Sequence, residues 1–112
     1  MLRRLSILAA NLTLCGCAVW PVGEDPAGAE LKLRAAPVFD ALAKFHHDHG
    51  IWPASLPELT PRYLPVPLDK RLFFDKKSES LGFTYSPTWP QMGQTSCSAN
   101  VRSQKWSCVG YI

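Results

Sequence analysis

The 112-residue chain has no apolar run long enough to cross a bilayer as a helix, which takes about 20 residues. Common signatures of catalysis and nucleotide binding are also missing. No serine lies in a G-x-S-x-G setting, and no glycine-rich phosphate loop occurs. These absences argue against an enzyme, so we expect no catalytic residue and no cofactor.

Acidic residues are absent from the last third of the chain. After Glu79, the only charged side chains are Arg102 and Lys105. The whole chain carries 12 Lys and Arg against 9 Asp and Glu, a net charge of +3. This balance lacks the strong positive charge of a nucleic-acid-binding domain, so nucleic acid is not an expected partner.

The first residues have the pattern of an export signal. Arg3 and Arg4 precede a short apolar run, which ends in Leu14-Cys15-Gly16-Cys17. Positive charge, a short apolar region and a small residue at the cut site are typical of a secretory signal peptide. This ending resembles the lipobox of bacterial lipoproteins. The alternatives are an ordinary signal peptide and an uncleaved anchor.

The lipobox resemblance implies cleavage of residues 1–16 and acylation of Cys17. Cys15 does not fit, because Leu14 precedes it where a small residue is required. Two or three acyl chains anchor a protein stably, so the membrane is an expected partner. By analogy with sorting in Gram-negative envelopes, Ala18 after the acylated cysteine favours the outer membrane. Of the 112 residues, removal of 16 leaves 96: a tether over residues 17–24 and a single domain over residues 25–112.

The two remaining cysteines, Cys97 and Cys108, agree with export. In an oxidising compartment, we expect a pair in a small domain to form a disulfide. The alternative is two free or metal-bound thiols. However, no histidine or second cysteine pair lies near them in the sequence to complete a zinc site.

The mature chain begins with a predicted amphipathic helix. Asp25-Pro26 is a typical helix start, with Asp as the N-cap and Pro at the first helical position. Gly50 is a typical stop, and Pro37 predicts a kink or a break. Apolar residues recur at steps of three or four, as expected for a helix with one buried face: Leu31, Ala35, Val38, Leu42 and Phe45.

The rest of the chain predicts a proline-rich connector followed by a small antiparallel sheet. Ser55 and Glu58 have capping-box spacing, which predicts a single helical turn from Leu56 to about Thr60. Residues 68–80 are mostly charged and are predicted to be exposed, with Phe73 or Phe74 turned inward. Strands are predicted over residues 83–85, 95–101 and 104–112. This order predicts an α+β fold, with one long helix packed on the sheet.

The connector resembles a known family. The run G-(Y/W)-P-x-S-L-x-x-L-x-P-x-Y-L of type IV pilins and type II secretion pseudopilins is similar to a set of residues here: Gly50, Trp52, Pro53, Ser55, Leu56, Leu59, Pro61, Tyr63 and Leu64. The resemblance implies a pilin-like head. It also implies a difference, because the long apolar helix of a pilin is absent and the lipobox stands in its place. The chain is therefore expected to be a tethered accessory and not a filament subunit.

Two groups of residues are candidates for a site. His46 and His49 are three apart and would share a helix face as metal ligands; the alternative is that the histidines only complement the helix dipole. Trp89, Trp106, Arg102 and Lys105 have the composition of a contact patch, together with Tyr85 and Tyr111. The alternative is that Trp106 and Tyr111 pack in the core.

Three functions are compatible with these features. The first is a non-enzymatic envelope lipoprotein that acts through contacts with another envelope protein, as an accessory to a secretion or pilus apparatus. The second is a stand-alone module that binds a small ligand or envelope polymer through the Trp89 loop. The third is an enzyme or metal carrier built on residues 46–49.

Overall fold

The computed structural model describes residues 20–65 and 67–111. They form a helix, α1 (Pro26–His49), a 3-10 turn (Leu56–Leu59) and four strands: β1 (Leu72–Asp75), β2 (Ser80–Tyr85), β3 (Gln94–Asn100) and β4 (Trp106–Tyr111). The strands make one antiparallel sheet in the order β1-β2-β3-β4, and α1 packs against it. The α+β class is confirmed. The predicted signal peptide and Cys17 lie outside the described residues.

Helix α1 follows the sequence signals at both ends. It begins directly after Asp25 and ends before Gly50, which adopts φ 73° and donates its N–H to the carbonyl of His46 at 2.8 Å. A left-handed residue at this position closes a helix at little cost only when it is glycine. The buried face carries Leu31, Ala35, Val38, Phe39, Ala41 and Leu42. Across residues 20–65 and 67–111, no helix has the length and hydropathy of a membrane span.

A kink or a break was predicted at Pro37; the break does not occur, since α1 continues through it to His49. Pro37 has no N–H to give to the carbonyl of Leu33. Both residues are exposed, with Leu33 at 75%, so water can satisfy that carbonyl. Packing of the opposite, buried face holds the helix together across the missing bond.

Strand β1 was not predicted, because it lies within the charged stretch of residues 68–80. Leu72 is buried and Phe74 is half-buried, while Phe73 lies across the outer face of the sheet. The charges belong to the following turn, where the Asp75 carboxylate accepts the N–H of Lys77 at 3.0 Å and the Ser78 hydroxyl at 2.9 Å. This Asx-type turn reverses the chain into β2.

Strands β2 and β3 supply the sheet side of the core. Their buried residues alternate toward α1, as the period of two in a strand requires: Leu81, Phe83 and Tyr85 on β2, and Thr95, Cys97 and Ala99 on β3. On these two strands the other face is polar, and includes a hydrogen bond of 3.3 Å between the hydroxyls of Thr84 and Ser96. One face of the sheet is therefore covered and the other is open.

The described residues directly before α1, Trp20 to Glu24, pack on the domain. Gln91 donates its side-chain N–H to the carbonyl of Trp20 at 2.6 Å. Gly23 adopts φ 83° beside Cys108, and a methyl group on it would lie 2.7 Å from the Cβ of that cysteine. The predicted tether of residues 17–24 is thus held against the sheet from Trp20 onward.

Candidate functional site

The disulfide between Cys97 and Cys108 is confirmed. The two residues are directly opposite each other in the register of β3 and β4. Cys97 is buried and Cys108 is partly exposed. The bond therefore fastens the edge strand β4 to the sheet.

Trp89 does not lie with the other three residues of the predicted contact patch. Trp89 precedes β3 and Arg102 follows it, so they lie beyond opposite ends of a seven-residue strand, which is about 20 Å long. Lys105 is exposed in the same turn as Arg102. Trp106 packs against α1 and the sheet, with its ring 5.7 Å from that of Phe39 and 5.1 Å from that of Phe83.

Arg102 instead belongs to a group at the C-terminal end of α1, which we call the distal cluster: His46, Trp52, Phe74, Glu79 and Arg102. The His46 ring stacks on Trp52 with centroids 4.1 Å apart. The Arg102 guanidinium lies 5.7 Å from the Trp52 ring centroid. Its Nε donates to Glu79 Oε1 at 3.0 Å. One half-buried indole is thus flanked by an imidazole and a cation.

The fold brings the distal cluster together from two turns and the helix end. The turn between β1 and β2 and the turn after β3 are joined, because Val101 donates its N–H to the carbonyl of Glu79 at 2.8 Å. Hydrogen bonds from Arg102 and Trp52 hold the pKa of the Glu79 carboxyl below its ordinary value. Glu79 is therefore an anion that fixes the position of Arg102.

Two of the three histidines at the end of α1, His46 and His49, contact aromatic rings. His46 stacks on Trp52, and the His49 ring lies 4.3 Å from that of Phe45. The Tyr63 hydroxyl donates to Asp48 Oδ2 at 2.8 Å, which lowers the pKa of Asp48 and raises the pKa of Tyr63. Within the described ranges, no three His, Cys, Asp or Glu side chains are grouped as metal ligands.

A buried polar network lies at the other end of α1. The Asp25 carboxylate accepts the hydroxyl of Tyr85 on one oxygen. Its other oxygen accepts the N–H and the hydroxyl of Thr88, each at 2.8 Å. Burial by itself raises the pKa of Asp25, but these hydrogen bonds outweigh it and the pKa lies below the ordinary value. The pKa of Tyr85 is raised by its burial and by the carboxylate.

Asp25 acts as an N-cap through Thr88 and not directly. The N–H of Ala27, in the first turn of α1, donates to the Thr88 hydroxyl oxygen at 3.2 Å, and the Thr88 hydroxyl donates to Asp25. The loop after β2 is thereby fixed to the start of the helix. Sequence reasoning identified Asp25 as a cap, but nothing local indicated that its partners lie beyond residue 80.

Apolar side chains collect around this end, four of them exposed and Trp20 half-buried, in a group we call the apolar rim: Trp20, Val22, Trp89, Met92 and Tyr111. Trp89 is 85% exposed and Met92 is 82% exposed. An open groove of about 320 Å³ lies among Val22, Met92, Tyr111 and their neighbours. The part of the rim that carries Trp89, Met92 and Tyr111 is uncharged, because residues 86–101 and 106–112 contain no Asp, Glu, Lys or Arg.

Comparison of the chain with protein-family models, with curated proteins and with solved structures finds no match. What the protein does is therefore inferred from its own residues. They show two unlike ends of one helix: a charged, aromatic distal cluster and an uncharged apolar rim. Sequence reasoning singled out one or two members of each and missed Trp52, Met92 and Val22 as surface residues.

Proposed function

We propose that the protein is a non-enzymatic lipoprotein of a Gram-negative cell envelope, anchored through Cys17, with the outer membrane favoured. Its α+β domain resembles the head of a pilin and acts by contact with another envelope protein, as an accessory to a secretion or pilus apparatus. The sequence of Met1–Cys17 supports the anchor. The distal cluster supports the contact.

The distal cluster is the observation that carries the contact. Its Trp52 and Arg102 belong to the residue types that contribute most to protein interfaces, and Glu79 holds Arg102 in place before any partner arrives. A helix of 24 residues at 1.5 Å per residue is about 36 Å long. The cluster therefore lies far along the domain from residue 20, where the chain leads to the anchor.

The pilin-like part of the proposal rests on the run from Gly50 to Leu64. In this chain, the run leaves the end of α1 and leads toward the sheet, through a 3-10 turn in which Glu58 Oε2 accepts the N–H of Ser55 at 2.9 Å. The order of helix, connector and antiparallel sheet is compatible with a pilin head. The lipid anchor in place of an apolar helix favours an accessory over a filament subunit.

The test is co-purification from detergent-solubilised envelopes with Cys17 intact. Arg102→Glu places a second negative charge beside Glu79 and removes the cation from Trp52. Lys105→Glu makes the same charge change in the same turn and is the matched control. We expect a secretion or pilus component to be recovered with the unaltered protein and with the control, and to be lost with Arg102→Glu.

Two results would contradict the proposal. A Cys17→Ser variant should lose membrane attachment, and continued sedimentation with membranes would argue against the lipid anchor. Normal secretion and piliation in a deletion strain, together with a co-purification that recovers no secretion or pilus component, would contradict a role in such an apparatus.

A stand-alone binding module is the second candidate. Trp89 is exposed, and the loop that carries it also supplies Pro87, Gln91 and Met92 to the groove of about 320 Å³, which favours this function. Trp89 fluorescence should then change on addition of envelope polymers or fragments of them, and Trp89→Phe should remove the response. Saturable binding there, with no protein partner at the distal cluster, would favour this function over the first.

A further inference from the structure

The chain between the proposed anchor and the domain is very short. Only Ala18 and Val19 separate Cys17 from Trp20. An extended residue covers at most about 3.6 Å, so three steps reach about 11 Å. Trp20 is fixed on the domain through the hydrogen bond from Gln91 to its carbonyl. If Cys17 carries lipid, the side of the domain around Trp20 lies within about 11 Å of it.

The apolar rim is the surface on that side. Val22 follows Trp20 in the chain and approaches Gly110, next to Tyr111 on β4. Gln91, which holds Trp20, stands between Trp89 and Met92 in the loop. The two most exposed large apolar side chains of the described residues, Trp89 and Met92, thus lie in the loop that holds Trp20, where the chain leads to the anchor.

The chemistry of the apolar rim fits the interface of a bilayer. Tryptophan and tyrosine are enriched at that depth, because their rings are apolar at one end and polar at the other. The rim's loop and strand carry no charged side chain that would have to leave water, and Glu24 is the exposed charge next to them. The charged residues of the distal cluster lie at the opposite end of α1.

We infer that the apolar rim docks on the surface of the membrane that holds the anchor, with Trp89 and Met92 inserted at the level of the headgroups. The inference rests on the proposed lipidation of Cys17. A lipid anchor keeps the rim at a high local concentration beside the bilayer, so a few apolar contacts suffice. A reach of about 11 Å leaves no room for a folded partner between the rim and the membrane.

Docking in this way fixes the direction of the whole domain. Helix α1 begins at the apolar rim and ends at the distal cluster. With the rim on the membrane, Trp52 and Arg102 point away from it and toward other envelope proteins. The distal cluster would then be presented at a set height and not on a freely rotating tether.

The test uses the full chain, expressed in a bacterium that acylates it, and purified into phosphatidylethanolamine–phosphatidylcholine vesicles. Lipids with brominated acyl chains quench tryptophans that enter the bilayer. We expect brominated vesicles to quench part of the emission and Trp89→Phe to lose most of that quenched part. Trp52→Phe, at the distal end, is the matched control and should retain it.

Flotation of the vesicles separates the possible failures. A chain that does not float with them has no anchor, which overturns both the lipoprotein assignment and the docking. A chain that floats, but whose quenching is absent or is unaffected by Trp89→Phe, overturns the docking alone. The rim could instead bind a second copy of the chain. A dimer detected by its mass, and abolished by Trp89→Phe, would support that and contradict docking on the membrane.

Discussion

The Tyr85 hydroxyl at the end of β2 donates a hydrogen bond to the Asp25 carboxylate, 60 positions earlier in the chain. Both side chains are buried. A carboxylate buried without partners is strongly destabilising, so this bond and the two from Thr88 must form together with the fold. They join the start of α1 to the loop that carries Trp89.

Replacing Asp25 with asparagine should destabilise the domain. The amide has nearly the same shape, but its nitrogen cannot accept, so Tyr85 or Thr88 loses its acceptor inside the protein. We expect the free energy of unfolding at pH 7 to fall by about 1–3 kcal/mol. Tyr85→Phe removes one donor and leaves both Thr88 bonds, so its loss should be smaller. Urea denaturation, monitored by circular dichroism, measures the loss of stability in both variants. A larger loss for Tyr85→Phe than for the asparagine variant would contradict this account of the network.

Replacing Gly28 with alanine should also destabilise the domain, although alanine favours helices by about 1 kcal/mol relative to glycine. A methyl group on Gly28 would collide with the Tyr85 hydroxyl oxygen and lie 2.6 Å from the carbonyl oxygen of Gly23. We expect a net loss of about 1–3 kcal/mol in unfolding free energy. Ala43→Gly, at an exposed position of the same helix, measures the effect of helix propensity on stability by itself. A more stable Gly28→Ala protein would show that the start of α1 is loosely packed.

Loss of the disulfide should lower stability by about 2–3 kcal/mol, because the bond closes a short loop across a sequence separation of 11. The paired variant Cys97→Ala, Cys108→Ala measures this in urea. Reducing agent should produce a similar drop in the unaltered protein and no change in the paired variant. Sensitivity of the paired variant to reductant would mean that another thiol is involved.

At acid pH, the free energy of unfolding should depend on the ionisation of Asp69. Two hydrogen bonds from Arg71, at 2.8 and 3.0 Å, are the main reason that the pKa of Asp69 is lowered to about 2. A carboxyl whose pKa is lower in the folded state stabilises the fold above its unfolded pKa, and that contribution is lost as pH falls toward 2. Asp25 acts in the same direction.

Arg71→Ala should therefore raise the pKa of Asp69 toward 3.8 and reduce the fall in stability between about pH 4 and pH 2. Carboxyl-carbon NMR titration measures the pKa, and urea denaturation at each pH measures the stability. Lys70→Ala, the neighbouring exposed cation, is the control and should leave both nearly unchanged. A pKa that stays near 2 without Arg71 would assign the shift to other partners.

The helix, its ends, the turn from Leu56 and the disulfide hairpin were predictable because each depends on nearby residues. A 3.6-residue apolar period, Asp-Pro at one end and glycine at the other specify α1 within its own length. Strand β1 was not predictable in this way. Its four residues carry one buried leucine and lead into a charged turn, so pairing with β2 supplies what its own sequence does not.

For the candidate surfaces too, only part of the arrangement could be predicted from the sequence. Composition alone suggested that Trp89 and Arg102 belong to one patch, because both are exposed residue types in the last third of the chain. The antiparallel sheet places them at opposite ends of β3, where each joins residues from distant parts of the chain. Trp106, grouped with them in the sequence, packs against Phe39 and Phe83.

The sequence by itself determined the order of helix, connector and hairpin, the pairing of Cys97 with Cys108 and the expectation of an anchor at Cys17. These features are local, or they follow from the small number of residues able to form them. Only the tertiary structure decided that Asp25 binds Tyr85 and Thr88, that Trp52 lies beside Arg102 and that the segment from Trp20 packs on the sheet. Those contacts join residues far apart in the chain, and their partners are determined by the way α1 packs on the sheet.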